Sequence, residues 1–140
     1  TITNINDNRA DSSAIHPLVL IVDDNEVAIE TLSDYLSAKN FRVASIHNGI
    51  ELLKMVTDIR PDIILMDIQM PGMDGFEAIR RIRSLPEDSI SKTPIIAVTA
   101  LAMSEDRDRC LEAGANEYIS KPVRLKDITE TIKTILKSSI

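Results

Sequence analysis

Residues 18–24, Leu18-Val19-Leu20-Ile21-Val22-Asp23-Asp24, join an unbroken aliphatic run to two consecutive carboxylates. A run that is apolar on both faces reads as a strand covered on both sides. Three further runs share the design: Ile63-Ile64-Leu65-Met66 ends on Asp67, Ile95-Ile96-Ala97-Val98 ends on Thr99, and Tyr118-Ile119-Ser120 is followed by Lys121. If these runs are parallel strands, Asp23, Asp24, Asp67, Thr99 and Lys121 meet at one edge of the sheet. The carboxyl edge of an open α/β sheet is where ligands and chemistry collect.

The rest of the chain fits that frame. Strands are expected near 18–22, 42–46, 62–66, 94–98 and 116–119, and helices near 25–38, 49–58, 75–84, 104–112 and 124–137. Strand-like runs alternating with helix-like stretches predict a parallel sheet with helices on both faces. Arg42-Val43-Ala44-Ser45-Ile46 alternates in polarity and is expected at an edge. Asn48 with Glu51, and Asp74 with Glu77, have the spacing of helix-capping boxes, and Asn25 and Ser104 can cap two other helices. Asn40 and Gly114 follow helices where a left-handed residue is wanted. Residues 1–17, rich in Asn, Asp, Ser and Thr, read as a flexible linker or tail, and 18–138 as one domain. The start at Thr1 predicts a piece of a larger protein.

Composition excludes several functions. The 140 residues are 44% hydrophobic with 3% aromatic and no Trp, so the core must be aliphatic. A net charge of -6 argues against a phosphate-backbone binder, so no direct nucleic-acid partner is expected. One cysteine, Cys110, leaves no disulfide framework or cysteine zinc cluster and reads as a small buried hydrophobe. With no apolar run of membrane length and no signal core, neither membrane contact nor export is expected, and the location expected is cytoplasmic.

The chemistry follows from charge. Two adjacent carboxylates and a third from another strand suit a hard divalent cation that keeps waters and shares a phosphate oxygen, namely Mg²⁺, with Mn²⁺ as a substitute. Three carboxylates alone would raise one another's pKa. A divalent cation and Lys121 bring the formal sum to zero, so one aspartate can stay ionised as a nucleophile toward phosphorus. Thr99 adds a hydroxyl donor and Lys121 a compact cation.

Ile21-Val22-Asp23-Asp24-Asn25, Met66-Asp67-Ile68-Gln69-Met70-Pro71-Gly72-Met73-Asp74-Gly75, Val98-Thr99-Ala100 and Ser120-Lys121-Pro122 together resemble the receiver domains of two-component response regulators and hybrid histidine kinases. The resemblance spans roughly residues 18 to 138, with the motifs in the family's order. It implies an α/β, flavodoxin-like three-layer (βα)5 fold with a five-stranded parallel sheet in strand order 2-1-3-4-5. It implies that Asp67 is the phosphoacceptor, taking a phosphoryl group from a phosphohistidine on a histidine kinase or a histidine phosphotransfer protein. Asp23, Asp24, Asp67 and the backbone carbonyl of Gln69 would hold Mg²⁺; Thr99, Lys121 and the Ala100 amide would contact the phosphoryl oxygens. Thr99 and Tyr118 would form the switch, read out on the surface of the helix near 104–112, the strand near 116–119 and the helix near 124–137, which could also pair two copies. Such a domain turns over its own aspartyl phosphate and is no stand-alone enzyme. A hybrid histidine kinase is the expected parent, with a single-domain response regulator or a phosphorylation-independent scaffold as alternatives. Gln69 and Leu101 flank the site and are expected to tune hydrolysis.

Simpler readings are weaker taken together than singly. Strand-end aspartates often cap helices, Lys121 alone would be a surface residue, and Tyr118 alone would be packing. Met70 and Met73 read as packing, and Gly72 and Gly75 as turn geometry. The run Glu105-Asp106-Arg107-Asp108-Arg109 reads as a solvated helix face, and neither His16 nor His47 lies in the bundle helix a phosphohistidine carrier needs. A haloacid-dehalogenase-type phosphatase would need an aspartate where Gln69 stands. A flavodoxin would need a polar phosphate loop where Asp23 and Asp24 repel phosphate.

Overall fold

The computed structural model describes residues 4–6, 16–100 and 104–138. In chain order the elements are β1 (Asn4–Asn6), β2 (Leu18–Val22), α1 (Glu26–Ala38), β3 (Arg42–Ile46), α2 (Gly49–Ile59), β4 (Ile63–Asp67), α3 (Gly75–Arg83), α4 (Asp88–Ser91), β5 (Ile95–Thr99), α5 (Ser104–Ala113), β6 (Glu117–Ser120) and α6 (Leu125–Ser138). They build one sheet in the order β1-β3-β2-β4-β5-β6. The five strands from β2 to β6 pair in parallel, which is the expected 2-1-3-4-5 order.

Strand periodicity sorts the aliphatic side chains into two cores. Leu20, Val22, Ala44, Ile64, Met66, Ile95 and Ala97 pack with Leu52 and Val56 of α2, Ile79 and Ile82 of α3, and Cys110 of α5. Val19, Ile21, Val43, Ile63, Leu65, Ile96 and Val98 pack with Ile29 and Leu36 of α1 and Ile128 and Ile132 of α6. The sheet is therefore the middle of three layers. The turns behave as their residues predict: Asn40 (φ 70) and Gly114 (φ 121) are left-handed after α1 and α5. Arg60 (φ 51) does the same after α2, with no glycine to announce it.

Two elements were not expected. The segment 1–17, read as a linker or tail, contributes β1, which pairs antiparallel with β3 through Asn4↔Ser45, Ile5↔Ala44 and Asn6↔Val43. An edge strand presents a row of unpaired N–H and C=O groups, and three residues covering part of that row need no apolar pattern of their own. Apart from 4–6 and 16–17, the segment lies outside the described residues, as does Leu101. The second addition, α4, is a single turn inside the connection from α3 to β5 that buries Ile90. One turn is too short to show a helical period.

Candidate functional site

The ends of β2 and β4 bring the carboxylates together. Asp67 is the last residue of β4 and is 4% exposed, Asp23 follows β2 directly and is also buried, and Asp24 faces solvent. One carboxylate oxygen from each lies within 4.8 Å of the others. That spacing allows one cation to touch all three, so the donor set fits Mg²⁺, an oxygen-seeking ion.

Local structure fixes each member. The Asn25 N–H donates to Asp23 Oδ1 at 2.9 Å, while Asn25 Oδ1 accepts from Val27 N and Ala28 N, so the cap of α1 also orients the first carboxylate. Burial pushes the Asp23 carboxyl above its ordinary pKa, and the charges of Asp67 and Asp24 push it further, against the Asn25 amide and Lys121. A buried carboxyl that resists ionising beside two other carboxylates suits a site for a cation.

Lys121 is brought in from the end of β6. Its Nζ lies 3.3 Å from Asp67 Oδ1, and its backbone N–H donates to the Thr99 carbonyl at 2.8 Å. A cis peptide joins Lys121 to Pro122. Thr99 ends β5 with no exposed surface. Register places Tyr118 opposite Ala97 and Ser120 opposite Thr99, so Tyr118 and Thr99 share a face of the sheet one diagonal step apart. Tyr118 is half-buried against the core that contains Ala97.

Among the described residues, Asp23, Asp24, Asp67, Thr99 and Lys121 are thus at one edge. Gln69 is there in a way its sequence position does not announce. Its N–H donates to Asp67 Oδ1 and its side-chain Oε1 accepts from Ala100 N, both at 3.3 Å. Gly75 also proves tighter than turn geometry requires: a Cβ there would stand 2.6 Å from Ile68 Cα and 2.7 Å from the Asp67 carbonyl oxygen. On the rim, His47 Nε2 hydrogen-bonds with the Glu26 carboxylate, with Glu51 4.0 Å from its other ring nitrogen. Asn48 and Asp74 cap α2 and α3 as their spacing predicts, through Glu51 N at 2.8 Å and Glu77 N at 3.0 Å. The run Glu105 to Arg109 is largely exposed, although Arg109 lies over the Phe76 ring at 4.2 Å. No helix among the described residues is long and apolar enough to cross a membrane.

Comparison with known proteins agrees with this geometry. A family model described as the response regulator receiver domain matches residues 19–133. The polar-differentiation response regulator DivK of Brucella anthropi is 39% identical over 118 residues, covering 84% of this chain and 94% of that protein. The chemotaxis response regulator CheY4 of Vibrio cholerae superposes with a TM-score of 0.80 at 26% identity, over 86% of this chain and 99% of that one. The receiver domain of a sensor histidine kinase from Pseudomonas aeruginosa PAO1 gives a TM-score of 0.79 at 32% identity, over 88% and 99%. That domain was crystallised with a magnesium ion coordinated in its active site cleft.

Proposed function

This chain belongs to the response regulator receiver domain family, and from that premise we propose that Asp67 accepts a phosphoryl group from a phosphohistidine on a histidine kinase or histidine phosphotransfer protein. The observation that carries the reading is the buried Asp67 carboxylate, within 3.3 Å of Lys121 Nζ and clustered with Asp23 and Asp24. A carboxylate oxygen of Asp67 attacks phosphorus, the phosphorus–nitrogen bond breaks, and the imidazole leaves with the bonding electrons. Asp23, Asp24, Asp67 and the Gln69 carbonyl would hold Mg²⁺, which when bound neutralises charge on the carboxylates and the transferring group. Lys121 balances negative charge, and the Thr99 hydroxyl and Ala100 N–H are donors for phosphoryl oxygens. Positioning and charge neutralisation are most of what phosphoryl transfer needs.

Phosphorylation turns one negative charge into about two and adds three acceptor oxygens. Thr99 follows those acceptors, and Tyr118, on the same face, moves into the space released. Shifting a 1:99 population to 99:1 takes about 5.5 kcal/mol of differential stabilisation, within reach of a few charge-assisted hydrogen bonds. The readout surface is α5, β6 and α6, which could also pair two copies. The likeness to DivK over 94% of that protein supports a response regulator acting through protein contacts, as the likeness to a kinase receiver supports a hybrid kinase parent. A cytoplasmic setting suits either.

The test is intact-mass spectrometry after incubation with Mg²⁺ and a small acyl phosphate, beside Asp67→Asn and a chelator control. One phosphoryl adduct that requires both Mg²⁺ and Asp67 supports the reading. No adduct on the wild type, with a phosphohistidine donor as well, refutes it in favour of a phosphorylation-independent scaffold.

A further inference from the structure

We propose that the Gln69 carboxamide is the resting occupant of the Ala100 N–H, and that an incoming phosphoryl group has to compete with it for that donor. The inference rests on the reading of Asp67 as phosphoacceptor and goes beyond it by giving Gln69 a side-chain role in the unphosphorylated state.

Gln69 spans the gap between the ends of β4 and β5. At its main-chain end the N–H donates to Asp67 Oδ1; at its side-chain end Oε1 accepts from Ala100 N. The two strand ends are already tied by the Ile68 N–H to the Val98 carbonyl at 3.0 Å. The residues on either side of Gln69, Ile68 and Met70, are buried, so its backbone is held while its side chain lies exposed. This is a fixed stem with a displaceable tip.

An amide N–H has one hydrogen and serves one strong acceptor at a time. In the resting protein that acceptor is a neutral carboxamide oxygen at 3.3 Å, beyond the usual range for N–H···O bonds. A phosphoryl oxygen carries charge, and charge-assisted bonds are roughly twice as strong as neutral ones. The exchange therefore favours the phosphoryl group once it is present, yet the bond that must first be given up opposes its arrival. A typical net hydrogen bond corresponds to roughly a two- to twelve-fold effect on anion affinity. Because Gln69 is exposed, the low end of that range applies.

The experiment uses the full chain as wild type, Gln69→Met and Gln69→Ala, with beryllium fluoride and Mg²⁺ as the phosphoryl mimic. Met keeps the length of Gln without a strong acceptor; Ala removes both. The inference expects the Ala100 amide proton, followed by NMR without beryllium fluoride, to move upfield in both variants. It expects both variants to bind beryllium fluoride about two- to five-fold more tightly than wild type. Tighter binding by Gln69→Ala alone, with Gln69→Met like wild type, would mean a steric lid and overturns the inference. An unchanged Ala100 proton in both variants, or equal affinity in all three proteins, also overturns it while leaving the phosphoacceptor reading intact. No binding by any of the three, wild type included, overturns both.

Discussion

Replacing Gly75 by Ala should damage the site and the fold through the same atoms. A Cβ on Gly75 would lie 2.6 Å from Ile68 Cα, 2.7 Å from the Asp67 carbonyl oxygen and 2.7 Å from Ile68 Cδ1. Ordinary carbon–carbon contact is about 3.5 Å, so the first contact is short by almost 1 Å. Two of the three obstructing atoms are backbone, which cannot swing aside as a side-chain tip can. The first residue of α3 is also tied to this segment by Gly75 N donating to the Ile68 carbonyl at 2.9 Å. Overpacking costs about 1–3 kcal/mol, and contacts this short with backbone atoms put Gly75 in the upper part of that range, about 2–3 kcal/mol, offset by about 1 kcal/mol from exchanging Gly for Ala in a helix. The net expectation is a loss of about 1–2 kcal/mol in urea unfolding, with formation of the Asp67 phosphoryl adduct slowed because the strand end that carries Asp67 has to move. Gly72→Ala is the control. Nothing lies within 4 Å of its Cβ, but its φ of +79 is left-handed, so about 1–2 kcal/mol is lost through backbone strain with adduct formation kept. The reasoning is refuted if Gly75→Ala unfolds within about 0.5 kcal/mol of wild type, or if both variants lose stability and only Gly72→Ala loses phosphorylation.

Three further outcomes follow from particular contacts. The raised pKa of Asp23 means that its folded form holds a proton at a pH where the unfolded carboxyl has lost it, so in chelator this group's contribution falls as pH rises above the ordinary carboxylate value. Asp23→Asn should therefore gain stability relative to wild type across that acid range and lose Mg²⁺-dependent stabilisation at neutral pH; a pH-independent difference in unfolding free energy counts against it. Arg83 donates to the carbonyls of Gly114 at 2.9 Å and of Ser91 and Thr93 at 2.7 Å, and to Asn116 Oδ1 at 2.9 Å, so Arg83→Ala should lose about 2–4 kcal/mol in denaturant titration while the folded variant still forms the adduct. Thr99→Ala should still be phosphorylated but lose the accompanying change in the ring signals of Tyr118 by NMR; retention of the full change disproves the coupling.

How much of this was readable depended on whether a residue's role repeats along the chain. Strands β2, β4 and β5 stood out because burial on both faces leaves continuous aliphatic runs. The carboxylates stood out because charge directly after such a run is unusual. Asn25, Asn48 and Asp74 were readable as caps because capping acts over three residues. Three-residue β1 and single-turn α4 have no period to show, and each exists through partners distant in sequence, β1 through the edge of β3 and α4 through burial of Ile90. Arg83 gave no signal, since a guanidinium that serves carbonyls rather than acids looks like any surface arginine in a basic helix. Gln69 was noticed for its carbonyl and as a neighbour of the site, whereas its side-chain bond to Ala100 spans 31 residues and depends on β4 lying beside β5.

The two edges of the sheet are built on opposite principles, and the difference bears on how a signal can leave the site. At the amino edge of β5 and β6, the Arg83 guanidinium and the Asn116 side chain, whose Oδ1 also accepts from Ile95 N at 2.9 Å, satisfy backbone groups from α4 through to the turn after α5. At the carboxyl edge, carboxylates repel, Asp23 resists ionising, and the Ala100 donor is served by a long neutral bond. Helix α5 begins at Ser104, and just past its last turn Gly114 is held by Arg83. On the reading proposed for Asp67, a helix pinned at one end would pass on a charge change at the site as a tilt about the pinned end. On the same reading, stability concentrated at the amino edge would leave the small energies of phosphorylation enough to move the part that is read.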